Sequence, residues 1–459
     1  EKSARAHAEG WSWTMQYKYD FAGRLVETTD INNNKSSVVY DALGRVKSKI
    51  DAKGNAANPK YSTTYTYDKL GRVLTESVPF KNNSGTIINS IKKYYYDNNG
   101  SIIEERTTNN LEGSAATYTK TQYAYDNRNR LVKVTTYDNG APENYTQYYY
   151  DNAGNKVRMY TGLSSPLTIN GLDNVSGSDT DYSVTKYQYD RFNQLIKLTD
   201  PMNQLETYTY DLNGNLTDKT DRNGNVHTFA YDALGRLLSK TVVTPGGTGN
   251  ETYAYTYTLT GNKHTSTGGG ITTTCQYDAL GRLIKETETG GIEKIYSYDV
   301  ANNRKSFVLK QNGVAKTNTS YDYDNMNRLW KVYENGAQTA TYAYDANGNR
   351  QTLTYNASGN STDYTYNLAN MLVSMTNKKG SSTLSSYSYT YYLDGNQATK
   401  TDHTGKVTTY AYDDLGRLEN EAPQGETALA YTYDDYSNRA SLTVGAAITS
   451  YLYDKNNRL

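Results

Sequence analysis

The sequence is short of most of what usually builds a dry core or an active site. It has one cysteine, seven prolines, five phenylalanines and four histidines in 459 residues. A lone thiol, Cys275, excludes an internal disulfide framework and any paired-cysteine metal motif, and reads as a small residue on a strand. His7, His227, His264 and His403 show no HExxH spacing and no close pairing, so no metal ligation is expected. There is no G-x-S-x-G elbow and no phosphate-binding glycine loop. The 48 basic residues balance 48 acidic ones, which removes the field that would gather nucleic acid. No run approaches the roughly 20 apolar residues of a membrane helix, so no membrane insertion by this segment is expected.

What the chain does have is tyrosine, 49 of them, and 36 glycines. They recur in one motif: Y-D-A-L-G-R-V at Tyr40, Y-D-A-L-G-R-L at Tyr231 and Tyr277, Y-D-D-L-G-R-L at Tyr412 and Y-D-A-N-G-N-R at Tyr344. Copies start at tyrosines 19, 40, 67, 96, 125, 150, 189, 210, 231, 257, 277, 298, 323, 344, 366, 392, 412, 433 and 453. That makes 19 copies, 16 with Asp after the Tyr, at a commonest step of 21 residues. A period of this length overrides any division of the chain by length alone. The array therefore runs over residues 17–459, after a non-repeat flank at 1–16 in which Trp11 and Trp13 are spaced like a strand face. Both ends read as cuts through a longer protein.

Each repeat reads as two strands and two turns. Before the aspartate, tyrosines alternate, as in Tyr208 and Tyr210 or Tyr342 and Tyr344, and a period of two with aromatic and Thr filling is a β signal. Asp opens the first turn, where its carboxylate can accept backbone N–H groups. Four places after the Tyr stands Gly in 11 copies, Asn in seven and Ser437 once, the residues that tolerate φ > 0. This predicts a type I turn closed by a left-handed bulge residue, with Asp41–Gly44, Asp68–Gly71, Asp232–Gly235, Asp278–Gly281, Asp345–Gly348 and Asp413–Gly416 as structural turn residues. A second turn, seen in Thr220 to Asn225 and Thr401 to Lys406, joins one hairpin to the next. Longer repeats lengthen this second connection, and the longest, Tyr160 to Tyr182, reads as a surface loop rich in Gly, Ser, Asp and Asn. The fold class is all-β: about 38 antiparallel strands in sequence order, too many for a flat sheet, so the ribbon must coil.

Six places after the Tyr, fourteen copies carry an aliphatic residue, whereas Lys156, Lys263, Arg304, Arg350 and Arg439 occupy that place in the rest. Solvent and the rings of neighbouring tyrosines are both open to these cations. The repeated aspartates suggest backbone capping rather than carboxylate chemistry. The D-x-N-G-N strings at Asp211 and Asp345 lack the glycine and glutamate spacing of an EF-hand, which leaves calcium at inter-hairpin turns as an alternative. Tyr210, Tyr231, Tyr344 and Tyr412 are candidate rings for glycan stacking. No catalytic, cofactor or metal residue is assigned, and no enzyme is expected.

The motifs at Tyr67, Tyr231, Tyr323 and Tyr344 resemble the YD repeat, also called the Rhs repeat, and the resemblance covers residues 17–459. Similar proteins include bacterial Rhs and wall-associated proteins, the BC component of insecticidal toxin complexes, and animal teneurins. The resemblance implies that the repeats wind into part or all of a hollow β-shell. It further implies a bacterial protein, secreted, delivered or held at the cell surface, whose shell encloses a C-terminal toxin or other polypeptide cargo. The alternative is a cell-surface or cell-wall array that binds glycans or another protein. The Asp-Pro-x-Gly motif associated with self-cleavage in bacterial shells has no match, because Asp200-Pro201 is followed by Met202-Asn203 in an ordinary inter-hairpin turn. Neither self-cleavage nor toxic activity carries over to this segment.

Overall fold

A computed structural model describes residues 15–57, 60–81, 86–109, 118–138, 140–171, 175–177, 182–247 and 249–459. His7, Trp11 and Trp13 lie outside these residues. The chain is nearly all strand. Among the described residues there are 39 strands and one short helix, α1 (Ala52–Ala56). One antiparallel sheet takes 37 of the strands, and the other two, Thr168–Ile169 and Val175–Ser176, pair with each other. Neighbours in the sheet are neighbours in sequence: Leu205–Tyr210 pairs with Leu216–Thr220, which pairs in turn with Val226–Tyr231.

The hairpin turns follow from the motif's chemistry. In the turn at Tyr231, Asp232 N–H donates to the Arg236 carbonyl at 3.0 Å and Gly235 N–H to the Asp232 carbonyl at 3.0 Å. Gly235 has φ 74°, and the register slips by one residue between Ala230 and Tyr231, the bulge this turn requires. Non-glycine residues at the same place are also left-handed, among them Asn129, Asn193, Asn327 and Ser437. The inter-hairpin turns use the same device, with Asn33, Asn203, Gly224 and Gly405 at positive φ.

One copy is corrected by a residue. Reading Tyr392 as its start places Asn396 in the bulge, but Gly395 carries the positive φ and Tyr391 ends its strand opposite Gln397. Tyr392 takes the aspartate's place, donating its N–H to the Asn396 carbonyl at 2.8 Å. With two adjacent tyrosines, the glycine, not the ring, decides the register.

The sheet's two faces differ. In Leu205–Tyr210 the residues alternate exposed and half-buried, with Glu206, Tyr208 and Tyr210 on the half-buried side. The other side carries Thr and Ala, and cross-strand hydroxyl pairs run along it, as in Thr66–Thr75 at 2.6 Å and Thr256–Thr265 at 2.6 Å. Rings that pack sideways along a ladder need no second layer, which is how a chain with 36% hydrophobic residues stays ordered.

The chain forms two compact units. One comprises residues 1–145, 322–332 and 338–452, and the other 146–321, 333–337 and 453–459. The first buries Tyr61, Phe80, Leu353 and Leu393. In the second, the connection between Tyr160 and Tyr182 starts within the strand Lys156–Leu163 and is exposed at Ser164, Pro166 and Thr168, as its composition suggests, but it is anchored by buried residues. Leu163 is 0% exposed, and Tyr160 and Leu167 are nearly as deep. The Gln147 amide holds Leu167 by both backbone groups, accepting its N–H at 2.6 Å and donating to its carbonyl at 2.9 Å. Two leucines and a tyrosine among Gly and Ser were enough to make a local core.

Candidate functional site

The motif's side chains form a latch between successive repeats. Within each turn the aspartate works alone on the backbone: Asp41 Oδ1 accepts the N–H groups of Leu43 and Arg45 at 2.9 Å each. Its Oδ2 takes the Arg45 Nε at 2.7 Å. Those bonds, the Arg45 backbone N–H first, hold the Asp41 carboxyl below the ordinary range. Asp232 and Asp278 are lowered for the same reason. At Asp221 burial pushes up, but Asn225 and His227 outweigh it and bring the carboxyl down to about 2.

The arginine then reaches forward. Arg45 stacks on the Tyr67 ring of the next repeat at 4.5 Å, Arg236 on Tyr257 at 4.6 Å and Arg328 on Tyr344 at 4.4 Å. The same tyrosine reaches back. Tyr67 Oη donates to the Val46 carbonyl at 2.7 Å, Tyr210 to Leu195 at 2.9 Å and Tyr344 to Leu329 at 2.7 Å. Where Asn replaces the arginine it still bonds the aspartate, as Asn349 does Asp345 at 3.1 Å and Asn215 does Asp211 at 2.9 Å; Leu216 follows Asn215, but Arg350 follows Asn349. Arg304, Arg350 and Arg439 stack on Tyr296, Tyr342 and Tyr431, the rings two places before the motif Tyr. Lys156 lies over Tyr148 and Tyr187.

Three of the four candidate glycan rings make contacts within the fold itself. Tyr210 and Tyr344 are half-buried with their hydroxyls bonded to the preceding hairpin, and Arg328 covers the Tyr344 ring. Tyr231 is half-buried, and Tyr412 meets the edge of Tyr392 at 6.0 Å.

A second arrangement carried no periodic signal. In each unit the ribbon returns against itself, with a D-x-x-G or D-x-x-N turn set on an inter-hairpin connection far away in sequence. In the first unit, Lys53 Nζ meets Asp345 Oδ2 at 2.5 Å, and Asn347 Nδ2 donates to Asp51 Oδ2 at 2.8 Å. Further along, Asp414 N–H donates to Asp138 Oδ1 at 3.0 Å, and Arg417 pairs with Glu143 at 2.7 Å. In the second unit, Asn456 donates to Asp200 at 2.7 Å, and Ser183 Oγ to the Lys455 carbonyl at 2.9 Å. The first of these platforms, α1, is an insertion that lengthens a connection. Of the turn residues named from the motif, Asp345 and Asp413 lie at the seam, whereas the carboxylates of Asp41, Asp68, Asp232 and Asp278 pair with the arginine of their own turn.

Beside the first unit's seam lies a cavity of about 160 Å³ lined by Asn109, Tyr392, Asp394, Tyr412, Asp413 and Asp414. Burial raises the Asp394 carboxyl, and burial followed by Asp413 and Asp138 raises Glu419. A larger hollow of about 710 Å³ in the second unit includes His264, Cys275 and Tyr277, but Cys275 is buried on its strand. Among the described residues no group of three or more His, Cys, Asp or Glu is placed to hold a metal ion, and no helix is long and apolar enough to cross a membrane.

Comparison with known proteins fits this repeat. Residues 40–80 and 210–248 match the RHS Repeat family model, and residues 248–439 match the Teneurin YD-shell model. The chain is 29% identical over 181 residues to the tRNA3(Ser)-specific nuclease WapA of Bacillus spizizenii and 28% over 162 residues to the tRNA nuclease WapA of Bacillus subtilis. These stretches are 39% and 35% of this chain but only 7% and 6% of the relatives' length. Among solved structures, TcdB2-TccC3 without its hypervariable C-terminal region aligns at TM-score 0.45 and 13% identity, over 96% of this chain and 32% of that one. TcdB2-TccC3-TEV aligns at 0.41 and 15%, over 97% and 34%.

Proposed function

Because the chain is an array of YD repeats, also called Rhs repeats, we propose that it is a wall: a segment of shell in a secreted or delivered bacterial protein, enclosing a toxin or other polypeptide encoded downstream. The observation that carries this reading is the seam. A ribbon that only displayed a surface would gain nothing from closing on itself, whereas a wall must exclude a protease between its successive passes. The ion pair of Lys53 with Asp345 and that of Arg417 with Glu143 both bridge such passes. The Tyr–Arg latches supply the continuity along the ribbon.

The work of the wall is exclusion, and no bond is made or broken by it. The WapA relatives are named as nucleases, but this chain corresponds to under a tenth of their length, and its repeated carboxylates are spent on turns. A glycan-binding array finds less support, since two of the rings it would use, Tyr210 and Tyr344, are bonded within the fold and Arg328 covers the second.

The test is protection of a passenger. An unstructured, protease-sensitive polypeptide is fused to the C-terminus of the chain, and its cleavage is compared with that of the free polypeptide. Slower cleavage, lost again in the Lys53→Ala/Arg417→Ala variant, is expected. Equal cleavage in all three would overturn the wall, and retention of the intact chain on cell-wall glycan would favour the display reading.

A further inference from the structure

The array shows what one of its members lacks. Two places before the motif Tyr, seventeen of the nineteen copies carry an aromatic ring, and only Val38 and Cys275 break the row. Cations six places after the Tyr lie against this row. Lys156 stands over Tyr187 of the next hairpin at 5.1 Å, and Arg350 over Tyr364 of the next at 6.0 Å. By the same step Lys263 belongs over residue 275, where the side chain ends at a sulfur. Val38 follows a hairpin with Leu25 at that place, so a missing ring and a cation coincide only at Cys275. The second unit is hollow here. The space of about 710 Å³ is lined by Thr258, Asn262, His264, Cys275 and Tyr277, and it falls within the roughly 300–1,000 Å³ of small-ligand sites. Asn262 and His264 flank Lys263, so the hollow lies where the stacked ring of the other hairpins lies. Lys263 is exposed and Cys275 is buried beneath. The Tyr277 hydroxyl is fixed on the Lys263 carbonyl at 2.7 Å, which makes its ring a wall. Asn262 is too short to reach over that ring as Arg236 reaches over Tyr257 at 4.6 Å.

We propose that this hollow is a binding site for a phenol ring, such as a tyrosyl side chain presents, taken into the place that the array leaves open at Cys275. The incoming ring stacks under the Lys263 ammonium as Tyr187 does under that of Lys156, and rests on the Cys275 sulfur and the Tyr277 ring. Thr258, Asn262 and His264 supply polar groups at the rim. The site does not depend on what the ribbon encloses.

The single cysteine makes the test specific, because the intact chain grown with carbon-13 at the cysteine Cβ carries one reporter, at the floor of the hollow. Titration with N-acetyltyrosinamide should shift that signal saturably, and N-acetylalaninamide should leave it in place. Lys263→Met keeps the stem and removes the charge, and should weaken the tyrosinamide about two- to fivefold. An unmoved signal, or the same shift with both amides, would overturn the proposal. A second measurement needs no ligand. Cys275→Tyr supplies the ring from within, and should slow hydrogen exchange in the strands Lys263–Gly268 and Ile271–Tyr277. Faster or unchanged exchange there would mean that the hollow does not fit a ring, and would also overturn it.

Discussion

Two turns of the first unit are almost the same in sequence and differ in their surroundings. Tyr40 to Val46 reads Y-D-A-L-G-R-V, and Tyr412 to Leu418 reads Y-D-D-L-G-R-L. Their backbones agree: Gly44 and Gly416 have φ 82° and 78°, and Asp N–H meets Arg carbonyl at 2.8 and 3.0 Å. Their latches agree too, with Arg45 over Tyr67 at 4.5 Å and Arg417 over Tyr433 at 4.7 Å. Only the outside differs. The Asp41 side chain is 22% exposed and that of Asp413 3%, because Asp138, Glu143 and Asn109 approach the second turn. The motif therefore makes a hairpin without help, and docking is decided by a few unrepeated residues around it.

The largest expected effect separates the two turns. Asp413→Ala removes a buried partner of Arg417 along with two backbone acceptor bonds, and should cost about 2–4 kcal/mol locally. Asp41→Ala removes the same bonds where water can replace them, and should cost clearly less. Hydrogen exchange of the flanking strands reads each locally, since a repeat array opens piecewise. Equal losses would mean that docking adds nothing to the turn.

A smaller effect should be common to both. Gly44→Ala and Gly416→Ala each force a side chain into the left-handed region, at about 1–2 kcal/mol. The added carbon would meet only side-chain ends, Arg24 Nη1 at 3.0 Å and Asn396 Nδ2 at 3.2 Å, which can shift. Different costs at the two positions would show that docking strains the turn backbone as well as covering it.

The smallest effect is that of pH. Asp394 and Glu419, by the docked turn, are raised above ordinary carboxylates, so the stability linked to them is complete below that ordinary range and is lost as pH rises through their raised values. Asp41, at the free turn, is lowered, so its contribution is present above the ordinary value of 3.8 and is lost as pH falls through its depressed one. Exchange protection near Asp413 should therefore improve as pH is lowered toward the ordinary carboxylate range, while that near Asp41 stays flat until the pH falls below 3.8. Parallel profiles would contradict the difference in environment.

How much of this is legible in the sequence depends on how local the cause is. The turn lies within five residues, so Asp at one place and Gly or Asn three later reveal it, down to Ser437 at φ 63°. The doublet Tyr391-Tyr392 misleads by one residue because a ring is a weaker marker of register than a glycine. The destination of Lys156, Arg304, Arg350 and Arg439 stays open from spacing alone, because a stacked cation and a solvated one occupy the same position in the repeat. The seam leaves no trace at all. Lys53 and Asp345, or Asp138 and Asp414, meet across most of the chain without a repeated pattern, and nothing about either residue alone marks it. Leu163 and Leu167 were hidden in another way, as isolated apolar residues in a stretch whose average composition is that of a loop.

The central claim is that the ribbon seals against itself, and one amide tests it most directly. The Asp414 N–H donates to Asp138 Oδ1 at 3.0 Å, while Ala42 holds the same place in the free turn. Residue-resolved hydrogen exchange on the intact chain should find Asp414 exchanging much more slowly than Ala42, and Asp138→Ala should bring the two rates together. If Asp414 exchanges as fast as Ala42 in the unsubstituted protein, the two passes of ribbon do not meet there and the wall is not closed at its seam.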